Sequence, residues 1–185
     1  MALARQTRLI LGFMAVVAVL AGVGLWYQSA STAQNQLSAA AGGVLPAVGH
    51  RAPDLQVTDL SGKKVRLSDF KGKPVYLNFW ATWCSFCRAE FPAIAEAYQE
   101  FGASGKVAFL LVNSGESAAA VKKYLAENGY TVPVGLDGDG QVTQRYLVRG
   151  LPSSFFIGPD GVIRDKVEGA LDAKGLRTRL ALLLP

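Results

Sequence analysis

The chain has 185 residues, of which 50% are hydrophobic and 18% charged, and its net charge is +5. This composition suits one domain of ordinary size with a substantial core. Lys and Arg never form a run longer than a pair, so the positive charge gives no support to nucleic-acid binding, and we expect no nucleic-acid partner.

The N-terminal region contains an uncharged apolar run of 19 residues, Leu9 to Tyr27. A helix of that length crosses about 30 Å of hydrocarbon. Arg5 and Arg8 precede the run and the next charged residue is Arg51, so the positive-inside rule places residues 1–8 in the cytoplasm. The sequence therefore predicts a single-pass membrane anchor, with the catalytic domain on the extracytoplasmic side, at the cell surface or in the periplasm.

A cleaved signal peptide is the alternative, because the small residues at 31–33 offer a cleavage site. The apolar run exceeds a typical signal core of about 7–15 residues, which favours a retained anchor. Residues 28–49 carry no charge and are rich in Ala, Ser, Gln and Gly, as in a flexible linker with a root-mean-square span of about 25 Å. The folded domain is predicted at 50–185, and His50 is expected to be exposed without a role.

Within this domain, apolar runs and helical spacings predict an α/β fold, a mixed central sheet flanked by helices. In chain order the predicted elements are a hairpin (55–57 and 64–67), a strand (74–80), a helix (85–101), a strand (107–112), a helix (117–128), a strand (132–136), a short helix (141–146), a second hairpin (154–157 and 162–167) and a helix (173–184). The acidic stretch 137–140 lacks the spacing of a calcium loop and is predicted to be a turn.

Cys84 and Cys87 are the only cysteines, and they fall at the predicted junction between strand 74–80 and helix 85–101. Cys84 should lie just before the helix and Cys87 in its first turn. A helix start presents unpaired N–H groups and the positive end of the helix dipole, which stabilise a thiolate. In Cys-X-X-Cys pairs this lowers a thiol pKa from ~8.5 to roughly 3.5–7.5. The pair therefore indicates thiol–disulfide exchange.

Two other interpretations of the pair remain open. Structural zinc requires four ligands, whereas the chain has no third cysteine and a single histidine, His50, so we expect neither a metal nor a cofactor. A purely structural disulfide is less favoured, because closing so short a loop removes little entropy from the unfolded chain.

Two stretches resemble the active site of thioredoxin-fold proteins. Residues 78–87 read Asn-Phe-Trp-Ala-Thr-Trp-Cys-Ser-Phe-Cys, with Pro92 five residues later, and residues 150–157 include Leu151-Pro152, similar to the family's cis-proline loop. With the anchor, the N-terminal β-hairpin and a central helix–strand insertion, the chain resembles the membrane-anchored thiol–disulfide oxidoreductases of the ResA, TlpA and DsbE type. These are relatives of the AhpC/TSA redoxins, and the resemblance extends from about residue 48 to the C-terminus.

The resemblance implies a protein-disulfide oxidoreductase with a redox-active Cys84–Cys87 disulfide. Cys84 would be the exposed nucleophile and Cys87 the buried second thiol. Implied partners are a protein disulfide, such as the haem-binding Cys-X-X-Cys-His of apocytochrome c, and an extracytoplasmic or membrane-embedded thiol donor. We expect a monomer.

The direction of electron flow stays open, because Ser85-Phe86 between the cysteines matches neither the Gly-Pro of reducing thioredoxins nor the Pro-His of a strong oxidant. An oxidant or isomerase of the same fold and a thiol peroxidase are the alternatives. The second cysteine argues against the peroxidase.

Glu90 lies at the edge of the apolar line of its helix, one turn after Cys87. A carboxyl group there should be partly desolvated, which raises its pKa, and it could then exchange the proton of Cys87. The alternative is a surface glutamate at the rim of the apolar stripe. In many thioredoxins a buried Asp on the central strand has this role, whereas this chain has Asn78, which cannot titrate.

Four further residues are candidates for orienting the substrate. Glu116 follows the next core strand at its carboxyl end, where α/β sites assemble, although it could also be an ordinary first-turn acid of a helix. Trp83 is a candidate contact for partners, with a core-edge aromatic as the alternative. Leu151 and Pro152 would offer their flanking backbone to an extended substrate.

Overall fold

The computed structural model describes residues 43–184, which form seven β-strands and four α-helices. The strands are β1 Gln56–Asp59, β2 Lys64–Arg66, β3 Val75–Trp80, β4 Ala108–Ser114, β5 Val134–Asp137, β6 Ser153–Ile157 and β7 Ile163–Glu168; the helices are α1 Ser85–Ala97, α2 Ala118–Glu127, α3 Gln141–Arg145 and α4 Ala173–Ala181. The predicted anchor at 9–27 lies outside the described residues. Within 43–184, no helix combines the length and apolar character that crossing a bilayer requires.

The strands form one mixed sheet in the order β2-β1-β5-β4-β3-β6-β7. β3 is central, with parallel β4 on one side and antiparallel β6 on the other. The hairpin β1–β2 extends one edge of the sheet. The inserted β5 pairs with β4 on one side and with β1 on the other, and α2 precedes it in the chain. This is the thioredoxin fold predicted from the sequence.

β3 is buried on both faces, because helices cover each side of the sheet. Alternate side chains of a strand point to opposite faces, and here they enter two separate apolar clusters. Tyr76 and Trp80 pack with α1, α2 and α4, whereas Leu77 and Phe79 pack on the side of α3 with Tyr146. Each large apolar side chain buried in this way stabilises the fold by about 1.5–3 kcal/mol.

The structure differs most from the sequence prediction at two helix ends, and the other helix ends agree to within one residue. The predicted helix 85–101 is α-helical as far as Ala97 and then continues as a π turn, Tyr98–Gly102. Gly102 has no side chain, and the Tyr98 ring occupies the space that a Cβ would need. The last helix is shorter than predicted and ends at Ala181.

The folded backbone also begins before the predicted boundary at residue 50. The N–H of Leu45 donates to the carbonyl of Arg51, and that of Gly49 donates to the carbonyl of Ile163. His50 is half-buried rather than exposed, since its own carbonyl accepts from the Ile163 N–H. These backbone hydrogen bonds attach the end of the predicted linker to the start of β7.

Candidate active site

The two cysteines lie at the junction of β3 and α1, as predicted, and form a disulfide with their Cα atoms 5.2 Å apart. Cys84 is the N-cap of the 13-residue α1, and its sulfur accepts a hydrogen bond from the backbone N–H of Cys87 at 3.1 Å. After reduction the same N–H would face a Cys84 thiolate, together with the positive end of the helix dipole. The local geometry therefore favours Cys84 as the nucleophilic sulfur.

The prediction that Cys84 is exposed is wrong for this disulfide form, in which its exposed fraction is 7% and that of Cys87 is 1%. The cause is the neighbouring loop, because the Leu151 carbonyl oxygen lies 3.5 Å from the Cys84 sulfur. A disulfide sulfur has no hydrogen, so this is a contact here; a Cys84 thiol could donate to the same oxygen. Of the two cysteines, Cys84 is still the more accessible.

The Leu151–Pro152 peptide bond is cis, as the resemblance implies, and the loop that contains it faces the cysteines. Pro152 is buried and its carbonyl accepts from the N–H of Gly169, while the Ser153 hydroxyl donates to the carbonyl of Gly150. The first hydrogen bond attaches the loop to the residue after β7, and the second closes the loop on itself.

A groove of about 400 Å³ runs between Cys84 and this loop. Trp83 and Phe86, with exposed fractions of 69% and 68%, line one side, and Arg149 and Gly150 line the other. Exposed aromatic side chains of this size are typical of contact surfaces. The groove can receive an extended chain segment that brings a disulfide to Cys84.

Glu90 is much more deeply buried than predicted, with an exposed fraction of 1%. The segment before α4 covers it, and the Leu171 N–H donates to its Oε1 at 3.2 Å. Burial raises the pKa of Glu90 to about 7, although the Leu171 N–H and the Asn78 amide, which favour the carboxylate, offset part of the rise. A carboxyl group that titrates near neutrality, one turn from Cys87, can accept and return a proton at that pH.

Glu116 contacts the active-site loop directly. Its Oε2 accepts from the Thr82 backbone N–H and the Asn113 amide, both at 2.7 Å, and its Oε1 accepts from the Thr82 hydroxyl. The first-turn alternative is wrong, because Ser117 is the N-cap and α2 starts only at Ala118. Glu116 therefore fixes the loop that precedes Trp83 and positions the site rather than reacting in it.

Sequence reasoning missed two polar side chains behind the cysteines. Tyr76 on β3 and Ser154 on β6 are fully buried, and their hydroxyl groups are hydrogen-bonded to each other. The Ser154 hydroxyl also accepts from the Asn78 amide. Polar residues in otherwise apolar strand runs are the signal that could have identified them, since a buried polar group needs a partner. Among residues 43–184, no group of His, Cys, Asp and Glu is arranged to hold a metal ion.

Comparison with known proteins gives consistent matches. The profile of the AhpC/TSA family matches residues 48–166. The thiol-disulfide oxidoreductase ResA of Bacillus subtilis (strain 168) is 41% identical over 137 residues, covering 74% of this chain and 76% of that protein. The exposed lipoprotein thioredoxin Etrx1 of Streptococcus pneumoniae strain TIGR4 has 34% identity and a TM-score of 0.62, covering 71% of this chain and 100% of that one. A secreted Mycobacterium tuberculosis disulfide oxidoreductase, homologous to E. coli DsbE, has 27% identity and a TM-score of 0.63, covering 70% and 96%.

Proposed function

This chain belongs to the AhpC/TSA family as a thiol–disulfide oxidoreductase of the ResA type, and from that premise we propose that it reduces protein disulfides outside the cytoplasm. The apolar run Leu9–Tyr27, with Arg5 and Arg8 before it, supports a membrane anchor with the domain on the outer side. Two similar solved structures are named as an exposed lipoprotein and a secreted protein. A reductant there would meet substrates whose disulfides form and persist.

The reaction begins with both cysteines reduced. The Cys84 thiolate attacks one sulfur of the substrate disulfide, forming a mixed disulfide, and the other substrate sulfur leaves with the electron pair as a thiolate. Cys87 then gives its proton to the Glu90 carboxylate and attacks the Cys84 sulfur. The mixed bond breaks and the second substrate sulfur leaves as a thiolate. The substrate thus gains two electrons, and its two thiolates take up one proton released by Glu90 and one from solvent, while the Cys84–Cys87 disulfide forms.

The buried carboxyl group of Glu90 is the observation that supports a reductant over an oxidant. An ionised Glu90 repels a thiolate at Cys87 and so does not stabilise the reduced protein. Strong oxidants of this fold are those whose reduced form is stabilised. The charge of Glu90 acts in the opposite direction to the helix dipole at Cys84 and so favours donation of electrons to a substrate.

The reduction potential of the Cys84–Cys87 couple tests this direction. Equilibration of the full-length protein with buffers of defined thiol potential should give a value well below about −200 mV, and a value near −120 mV would mean an oxidant. Glu90→Gln should make the potential less negative, because it removes the charge that opposes a Cys87 thiolate. Turnover of hydrogen peroxide by the purified protein would instead support the thiol peroxidase alternative.

As substrate we propose the haem-binding Cys-X-X-Cys-His disulfide of apocytochrome c, which the ResA-type resemblance implies. The groove beside Cys84, with exposed Trp83 and Phe86, offers room for an extended segment of this kind. Stopped-flow reduction of an oxidised Cys-X-X-Cys-His peptide should be faster than reduction of a scrambled peptide with the same loop size. Equal rates for the two peptides would argue against this substrate, while leaving the reductant assignment in place.

A further inference from the structure

Four buried polar side chains form a continuous line from the middle of the sheet to the active site. The hydroxyl oxygens of Tyr76 and Ser154 are 3.1 Å apart, and the Asn78 amide nitrogen donates to the Ser154 hydroxyl at 3.0 Å. The Asn78 side chain also acts on Glu90, because it lowers the pKa of that carboxyl group against the effect of burial. All four residues have exposed fractions of 1% or less.

The backbone determines this arrangement. Tyr76 and Asn78 are two apart on β3 and so point to the same face of the sheet. Asn78 is directly opposite Ser154 in the antiparallel pairing of β3 with β6. Glu90, on α1, covers that face of the sheet, so the line leads from the strand interior to the helix that Cys84 caps.

Two oxygen atoms in the line lack a hydrogen-bond donor. They are Asn78 Oδ1 and Glu90 Oε2, both fully buried. Buried acceptors are nearly always paired, so two neighbouring unpaired acceptors indicate that a donor is missing between them. Either a proton on Glu90 Oε2 or a half-turn of the Asn78 amide, which exchanges its oxygen and nitrogen, would supply that donor.

We propose that Asn78 is a positioning residue that gives Glu90 a hydrogen-bond partner in both of its protonation states. Toward the protonated carboxyl group, Asn78 presents Oδ1 and accepts the acidic hydrogen. Toward the carboxylate, the amide turns and presents Nδ2, which donates. This inference rests on the proposed function only in assigning Glu90 as the group that takes the proton of Cys87.

Ser154 and Tyr76 provide hydrogen bonds for the turned Asn78 amide when Glu90 is a carboxylate. When the Asn78 amide turns, its oxygen faces Ser154, whose hydroxyl can rotate and donate to it. The Ser154 oxygen then accepts from the Tyr76 hydroxyl. The hydroxyl groups reorient without any movement of the backbone, and their dipoles all point toward the negative charge on Glu90. A line of donors polarised in one direction strengthens each of its hydrogen bonds.

The ionisable groups Tyr76 and Cys87 do not change charge alongside Glu90 in the oxidised protein. Burial and the charge of Glu90 hold the pKa of Tyr76 well above 10, so Tyr76 stays neutral over the working range. Cys87, on the same helix, cannot titrate in the disulfide form. Leu171, from the segment before α4, contributes only its backbone N–H.

The charged side chains of α4 and β7 on this side of the sheet have other partners. Asp172 is exposed and accepts from the N–H of Gly175 at the start of α4. Asp165 pairs with Arg179 at 2.8 Å. Neither group hydrogen-bonds to Glu90 among residues 43–184, and Asn78 is the side chain that lowers the pKa of Glu90.

Carbon-13 NMR of the Glu90 carboxyl group in the oxidised full-length protein tests the proposal, because the disulfide keeps both cysteines from titrating. The wild-type midpoint should lie at about 7. Asn78→Leu removes the donor to the carboxylate and should raise the midpoint by about one pH unit or more. Ser154→Ala removes the hydroxyl that follows the turned amide and should raise it by roughly half a unit.

Tyr146→Phe is the matched control. The Tyr146 hydroxyl is also buried, but it donates to the Pro53 carbonyl on the other face of the sheet, so its loss should leave the Glu90 midpoint unchanged. Midpoints in Asn78→Leu and Ser154→Ala that coincide with wild type would overturn the proposal. If Asn78→Leu does not fold, Ser154→Ala decides alone. The titration needs no substrate, so its failure is distinct from failure of the proposed reductant function, which the reduction potential tests.

Discussion

The Glu90→Gln substitution should change how the stability of the protein depends on pH. Glutamine has the shape of a protonated glutamate. Its oxygen can accept from the Leu171 N–H, and its nitrogen can donate to the unpaired Oδ1 of Asn78. The substitution therefore removes the ionisation of this buried group while keeping its packing and its hydrogen bonds.

The magnitude follows from the pKa of Glu90, which burial raises from its ordinary value of 4.5 to about 7. Between these values the folded protein binds more protons than the unfolded chain, so the free energy of unfolding falls as pH rises. At 1.36 kcal/mol per pH unit, this interval corresponds to a loss of about 3 kcal/mol. The loss is absent below about pH 4.5 and complete above about pH 7.

Urea unfolding of the oxidised protein, followed by tryptophan fluorescence at about pH 5 and about pH 8, measures the effect. Oxidation matters because the disulfide prevents the cysteines from contributing their own titration. Near pH 5 the variant and the wild type should differ by less than about 1 kcal/mol, whereas near pH 8 the variant should be more stable by about 3 kcal/mol. Glu127→Gln, on the exposed face of α2, is the control and should show no such pH dependence.

Parallel stability profiles for Glu90→Gln and the wild type would refute the reasoning. They would mean that Glu90 ionises in the folded protein as easily as in the unfolded chain. The pKa of Glu90 would then not be raised by folding, and the basis for assigning Glu90 as the proton acceptor of Cys87 would be removed.

Three further substitutions test the assigned roles. Cys87→Ala should leave Cys84 able to attack but unable to be released, so a mixed disulfide with substrate should accumulate on non-reducing gels; activity without any trapped partner would contradict the order of attack. Glu116→Gln loses one of the charged oxygens that hold Thr82, and we expect the free energy of unfolding to fall by about 1–3 kcal/mol and disulfide exchange to slow; unchanged urea midpoints would show that these hydrogen bonds do not hold the loop. Trp83→Ala should lower kcat/KM for a protein disulfide about tenfold, as expected for losing a contact of roughly 1.4 kcal/mol, without changing the rate with a small disulfide. Equal losses for both substrates would place Trp83 in the chemistry rather than in substrate contact.

The elements that carry the cysteines could be predicted from the sequence, because local patterns specify them. The β-branched and aromatic run of β3 and the helical spacing of Phe91 and Ile94 placed Cys84 before α1 and Cys87 in its first turn, as observed. These features depend on neighbours within a few residues. Local propensity and apolar periodicity therefore suffice for them.

The surroundings of the candidate site depended on contacts between distant segments. Glu90 was predicted at the edge of a helix face, but the segment around Leu171, 81 residues later, covers it. Glu116 hydrogen-bonds to Thr82 across 34 residues, which only the parallel pairing of β3 and β4 brings together. No local pattern contains the information for such contacts, since they arise from how the elements pack.

The division of the interior by β3 has a consequence for engineering this protein. Cys84 and Cys87 belong to the cluster beneath α1, α2 and α4, whereas Phe79, Tyr146 and Phe155 fill the opposite layer. Heat resistance can accordingly be raised by redesigning that second layer, while electron transfer at the cysteines retains its original surroundings.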